Sequence, residues 1–253
     1  MPVRHHLPTI ELRPGEVALI GAGPAAADLI TVRGARLLQQ CDVIVHDSLV
    51  DPSLYTDLGC ELIDVGKRAG NHKMPQPEIN ELLVRLAKQG RRVVRLKGGD
   101  PFVLGRGSEE ALFLHEHAIA VYVIPGVTSA VAAAELAGIP VTHRGVADAF
   151  TVISAHPRAE DSPFTIPSFH PKQTIILLMG VSSLPSWRNG FVAAGYPEDL
   201  PVAFITWAGW PQQRVVRSTL GRCLAISDQI QAPTVSVLGY VAALDAKNTS
   251  ATS

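Results

Sequence analysis

The chain of 253 residues is 47% hydrophobic and 18% charged, the composition of an ordinary soluble globular protein, with a formal net charge of −1. That balance leaves no global field to draw it onto nucleic acid or a membrane surface. At roughly 100–200 residues per domain, one large or two small domains are expected.

The opening residues MPVRHHLPTIELRPG form a tail, 1–15, without the apolar core of a signal peptide. His5 and His6 sit on this proline-bearing tail and read as solvated, so no metal is expected. No apolar run approaches the ~18 residues of a membrane span. Cys41, Cys60 and Cys223 are odd in number and lack C-x-x-C spacing. They argue against a disulfide framework or zinc site and fit a reducing cytoplasm.

The first apolar run, 17-VALIG-21, breaks into Gly21-Ala22-Gly23-Pro24-Ala25-Ala26, and a second run, 42-DVIVHD-47, ends in Asp47. Strand, G-x-G-x-x-A and an acidic strand tip are the parts of a dinucleotide-binding fold, so a dinucleotide-dependent oxidoreductase is one reading. Further runs follow at 61-ELIDVG-66, 91-RRVVRLKG-98 and 121-VYVIPG-126. Between them Ile79, Leu82, Leu83 and Leu86 recur at helical spacing until Gly90, and 128-TSAVAAAELAG-138 reads as a small-residue helix. Strands alternating with helices predict a parallel sheet with helices on both faces. Past 144 the texture changes. Strand-like runs at 150–156, 174–180, 201–209, 214–220 and 233–240 have fewer long helices between them, and the Pro-rich 157–172 reads as a surface loop. The expected organisation is an N-terminal α/β domain over 16–144, a C-terminal mixed α/β domain over 145–244 and a disordered tail over 245–253.

In an open α/β sheet, ligands bind past the carboxyl ends of the strands. Five such tips are unusual: Gly21–Pro24, Asp47, 66-GKRAGNH-72, 97-KGGDPFVLGRGSEE-110 and 125-PGVTSA-130. Gly98 and Gly99 let backbone approach a ligand closely, and Asp100 can accept hydrogen bonds from hydroxyl or amine donors. Thr128 and Ser129 serve either as a helix cap or in the site, and Lys67 and Arg68 either as a solvated pair or as anion ligands.

Taken together, 21-GAGPAAADLIT-31, 66-GKRAGNH-72, 76-QPEIN-80, 95-RLKGGDPFVLGRGSEE-110 and 125-PGVTSAVAAAELAGIPVTHRG-145 resemble the tetrapyrrole methylases, over a span from Val17 to Leu244. The resemblance implies a two-domain α/β fold with its active site in the cleft between the domains. The implied cofactor is S-adenosylmethionine, released as S-adenosylhomocysteine, rather than NAD or FAD. The implied reaction is methylation of uroporphyrinogen III at C2 and C7 to precorrin-2, the branch point to sirohaem and cobalamin. Carried over by position, Pro24, Gly98, Gly99, Asp100, Val103, Thr128, Ser129, Met179 and Gly209 line the donor site. Asp47 is the candidate base and Lys67 the candidate proton donor or carboxylate anchor, with Arg68, Arg106 and Arg144 as anchors for the substrate's carboxylates. A cytoplasmic homodimer is implied, with a small-molecule tetrapyrrole as substrate. Two places depart from the family pattern. Ala25-Ala26-Ala27 stand for glycine, aspartate and proline in the first loop, and Ser48 stands where an arginine often follows the aspartate. Both lie on the substrate side, which keeps open a sibling methylase acting on a later precorrin or a non-tetrapyrrole.

Overall fold

Residues 10–66, 74–155 and 165–246 are described in the computed structural model. The chain divides into two units, one running to Thr128 and the other starting at Ser129.

In the first unit, strands β1 (Val17–Gly21), β2 (Val43–His46), β3 (Glu61–Asp64), β4 (Val93–Lys97) and β5 (Val121–Ile124) form a sheet in the order β3-β2-β4-β1-β5. Every pairing in it is parallel. β1, β2 and β4 are buried throughout, which explains their unbroken apolar runs: helices cover both faces, so neither set of alternating side chains meets water. Val17, Val43, Val45 and Val93 pack with Ile79, Leu82 and Leu83 of α2 (Gln76–Lys88) and Leu114 of α3 (Gly107–Glu116). The alternate residues Ala18, Ile20, Ile44, Val94 and Leu96 pack with Leu37 and Leu38 of α1 (Val32–Leu38). The α1 N-terminus is capped by Thr31, whose hydroxyl accepts from the Gly34 amide at 3.2 Å.

The second unit opens with α4 (Ser129–Leu136) and contains β6 (Ala149–Ser154), β7 (Gln173–Leu178), α5 (Leu184–Ala193), β8 (Pro201–Thr206), β9 (Arg214–Thr219) and β10 (Thr234–Leu238). Its sheet order is β6-β7-β10-β8-β9, parallel between β6 and β7 and antiparallel elsewhere. Ala130, Ala133 and Ala134 of α4 lie against Ile176, Ala203 and Val237, so the small side chains bring this helix close to its own sheet. On the opposite face Leu184, Trp187 and Phe191 of α5 pack on Ile175, Leu177, Val202 and Phe204. Among the described residues no helix is long and apolar enough to cross a membrane.

Candidate active site

β1 and β4 are neighbours in the sheet, with Gly21 opposite Lys97. The chain leaves β1 toward β2 on one side and leaves β4 toward β5 on the other. Their carboxyl ends therefore flank a topological switch point, the ligand position in open α/β sheets. Three loops interlock there. The Ala22 amide donates to the Lys97 carbonyl at 2.8 Å, and Gly23 and Gly99 exchange amide-to-carbonyl bonds at 3.2 and 2.9 Å. A Cβ on Gly21 would lie 2.6 Å from both the Gly126 nitrogen and the Gly99 oxygen, so backbone touches backbone with no room for a side chain. Asp100 ties the loops: its Oδ1 accepts from the Phe102 amide at 2.8 Å and its Oδ2 from the Gly126 amide at 3.1 Å. Gly98 is the open member. It is exposed, and an added Cβ would meet nothing nearer than the Leu49 Cβ at 4.0 Å.

This geometry removes the basis of the dinucleotide reading. A pyrophosphate cradle needs amides turned outward at the start of a helix. Here the Ala22 and Gly23 amides are bonded within the junction, and α1 begins only at Val32, after a 3₁₀ turn at Ala27–Leu29.

A buried charge network adjoins the junction. Val93, Arg95 and Lys97 alternate onto one face of β4, the face covered by α2 and α3. Arg95 and Lys97 are 2% and 3% exposed, and Glu110 of α3 is fully buried between them. Glu110 Oε1 accepts from Arg95 Nε at 3.1 Å, Lys97 Nζ at 3.0 Å and Gln76 Nε2 at 3.0 Å, while its Oε2 has no hydrogen-bond partner among the described residues. Arg95 Nη2 reaches on to Asp47 Oδ1 at 2.5 Å, at the tip of β2. Burial holds the Lys97 ammonium below its usual range, and the neighbouring guanidinium of Arg95 adds to this against the pull of Asp47 and Glu110. For Arg95 burial works in the same direction, but the two carboxylates outweigh it and raise its value. The sequence reading selected Asp47 but neither Arg95, Lys97 nor Glu110. The available signal was two cations within the apolar run 93-VVRLK-97 and an acid 13–15 residues downstream.

The other expected residues fall at strand tips or on the surface. Val103 is half-buried in the loop before α3, where Leu104 and Arg106 take left-handed φ of 54° and 58°. Arg106 is exposed and paired with Glu109 at 2.7 Å, and Arg144 is exposed. Thr128 directly precedes α4, whose first residue is Ser129. In the second unit β7 and β8 both run antiparallel to β10, so they end at the same sheet edge. Met179 and Trp207 follow directly, both left-handed with φ of 57° and 52°. Bulky residues are costly in that region, and such strain gathers at functional edges. Gly209 has φ 82° and donates its amide to Gln213 Oε1 at 2.9 Å, while Trp207 and Trp210 meet edge to face at 5.8 Å. Lys67 and Arg68 lie outside the described residues.

The tetrapyrrole (corrin/porphyrin) methylase family matches residues 16–223. This chain belongs to that family. It is similar to the uroporphyrinogen-III C-methyltransferase of Methanocaldococcus jannaschii, 44% identical over 90% of this chain and 96% of the relative. It is also 44% identical to the siroheme synthase of Chromobacterium violaceum over 92% of this chain and 50% of that protein. The chain thus spans about half the length of the siroheme synthases it matches. Among solved structures, the uroporphyrin-III C-methyltransferase of Thermus thermophilus complexed with S-adenosylhomocysteine superposes with a TM-score of 0.77. The two are 35% identical, over 89% of this chain and 98% of that one.

The first loop of this tetrapyrrole methylase carries a cost that its sequence explains. Ala25 is buried and takes φ 59°. A Cβ there strains against the backbone, whereas glycine adopts the conformation freely. Ala25→Gly is therefore expected to stabilise the fold by about 0.5–1 kcal/mol after its added unfolded-state entropy is counted. The check is a urea midpoint that rises at unchanged slope; no rise would show the loop to be relaxed already. Beside Asp47, an added Cβ on Gly66 would collide with the Ser48 hydroxyl, so these two tips are also in close contact.

Proposed function

We propose that this chain methylates uroporphyrinogen III at C2 and C7, with S-adenosylmethionine as donor, to give precorrin-2. What carries the reading is one conjunction at the switch point: an open backbone floor over Gly98 and a carboxylate, Asp47, held by Arg95 at the neighbouring strand tip. The near-full-length likeness to the M. jannaschii enzyme supports this substrate, and the S-adenosylhomocysteine complex of the T. thermophilus protein supports this donor.

The donor supplies an electrophilic methyl group on a sulfonium. The glycine floor fits such a group, because Gly98 leaves open space and Asp100 fixes the loop around it. Pro24, Gly98, Gly99, Asp100, Val103, Thr128 and Ser129, with Met179 and Gly209, are the residues assigned to hold it. A pyrrole carbon is a weak nucleophile that strengthens as its ring nitrogen loses a proton, and Asp47 is assigned to take that proton. Lys67 returns a proton or anchors a carboxylate. The substrate's carboxylates are assigned to Arg68, Arg106 and Arg144. The Arg106–Glu109 pair is more than half exposed on both sides, so its attraction is small and a substrate carboxylate can replace Glu109. Ser48 and Ala26 remove an arginine and an aspartate from the substrate side, which is the observation behind a second reading, a sibling methylase of a later precorrin.

The deciding experiment incubates the protein with uroporphyrinogen III and S-adenosylmethionine and follows product mass and absorbance. Two added methyl groups are expected, and calorimetry should show S-adenosylhomocysteine binding while NAD, NADP and FAD give no heat. Turnover of a later precorrin alone would select the second reading. Heat from NAD with none from the donor would end the methylase reading.

The proposed setting is the cytoplasm, and the proposed assembly is a homodimer. Its interface should bury upwards of ~2,000 Å², as obligate dimers do. Light scattering should report twice the chain mass of 27.0 kDa. An active species at the single-chain mass would remove the dimer.

A further inference from the structure

A buried ion network is a poor way to stabilise a sheet. Well-packed apolar residues of the same volume serve as well or better, because the charges must first be stripped of water. The network of Asp47, Arg95, Glu110 and Lys97 is therefore to be read by where it leads. Three of its members are buried, and the fourth, Asp47, has a side chain 34% exposed at the tip of β2.

The Arg95 guanidinium is held on every side. Nε donates to Glu110 Oε1 at 3.1 Å, and Nη1 donates to the Val45 and Leu96 carbonyls at 3.3 Å each. A planar fork fixed at these points cannot swing, so its remaining nitrogen, Nη2, arrives at Asp47 Oδ1 in one direction only. The Asp47 backbone is fixed as well, its amide donating to the Leu96 carbonyl at 3.2 Å. Lys97 donates to the same Glu110 Oε1 at 3.0 Å, so the carboxylate that holds Arg95 is itself anchored by a second cation.

We infer that Arg95 is a positioning residue for the reaction: it aims the Asp47 carboxylate, and Glu110 and Lys97 hold Arg95 in place to do so. The inference rests on the proposed role of Asp47 as the base. Lysine at position 95 keeps the charge but replaces the rigid fork with a single flexible ammonium. An aiming error on the scale of an ångström costs on the order of 10²-fold in rate.

The test is a double-mutant cycle on the full chain, with kcat and KM for uroporphyrinogen III, S-adenosylhomocysteine affinity and a thermal melt recorded for Arg95→Lys, Asp47→Asn and the pair. Arg95→Lys is expected to lower kcat by about 10–100-fold while KM and donor affinity stay within about twofold. In the Asp47→Asn background the same change should cost nothing further, since its effect runs through a carboxylate already gone. A merely structural Arg95 would lower the melting temperature and leave kcat per donor-binding site unchanged. That outcome, or additive losses in the pair, overturns the inference. A wild-type protein silent on uroporphyrinogen III overturns the substrate reading itself and this inference with it. An active wild type with an unaffected Arg95→Lys removes the inference alone.

Discussion

Asp47→Asn is expected to lower kcat by about 10²–10⁴-fold, the contribution of a positioned base, with S-adenosylhomocysteine affinity unchanged. Asparagine keeps the shape of the side chain and an oxygen for Arg95 Nη2, so the tip of β2 has no reason to move. It loses the negative charge and with it the lone-pair basicity that accepts a proton. The glycine floor proposed for the donor is built from the ends of β1, β4 and β5, and its described hydrogen bonds run through Asp100, Gly99 and Gly126. The expected split is therefore an intact donor isotherm with most methyl transfer gone. Unchanged turnover would take Asp47 out of the chemistry and leave it as the charge partner of Arg95.

Glu110→Ala should destabilise the first unit strongly, by about 3–5 kcal/mol. Glu110 is fully buried and its Oε1 receives three donors, so truncation leaves Arg95 and Lys97 facing each other without it. Arg95 keeps Asp47, whereas Lys97 loses the carboxylate it donates to. The pH dependence has a definite sign. The folded Lys97 already holds its proton less tightly than the unfolded lysine at 10.5, because of burial first and Arg95 second, and removing Glu110 takes away a group that pulled the other way. The unfolded chain then binds the extra proton between the lowered value and 10.5, so stability rises with pH across that window. The deficit against wild type should narrow as pH approaches 10. Chemical denaturation at pH 7 and near pH 10 checks both statements. A loss under about 1 kcal/mol at pH 7, or a deficit that widens at alkaline pH, would show that the pair is not desolvated as described.

The inner strands β1, β2, β4, β7, β8 and β10 were legible in the sequence because burial on two faces writes apolar runs, and the edge strands β3, β6 and β9 were legible from shorter runs between turn residues. Each run, from 17–21 through 233–240, became a strand. Three helices were not legible. In α3 the apolar residues are contiguous rather than periodic, and the helix turns Glu110 inward while leaving Leu112 64% exposed. A core position occupied by a carboxylate reverses the pattern that reveals a helix, and 97–110 read as one long loop. α1 spans only seven residues and contains Gly34, and α5 carries Gly190 and a polar centre. The glycine-rich tips were legible because glycine, proline and aspartate at strand ends carry local meaning. The charge network was not, since its partners lie 48 residues apart for Asp47 and Arg95 and 34 for Gln76 and Glu110. Donor and substrate came from the resemblance rather than from the spacing of residues.

The glycine junction divides the working edge of the first sheet into two kinds of territory. The tips of β4, β1 and β5 meet as bare backbone, where Gly21 and Gly126 admit no Cβ and the Gly99 carbonyl lies against both. The tips of β2 and β3 instead present side chains, Asp47, Ser48 and Leu49 among them. Mutation has almost no vocabulary on the first half, since every replacement of those glycines adds atoms where none fit. On the second half the exposed Ser48 and Leu49 leave room for exchange. On the proposed assignment of the floor to the methyl donor, Ser48 falls on the side where a substitution leaves that floor untouched.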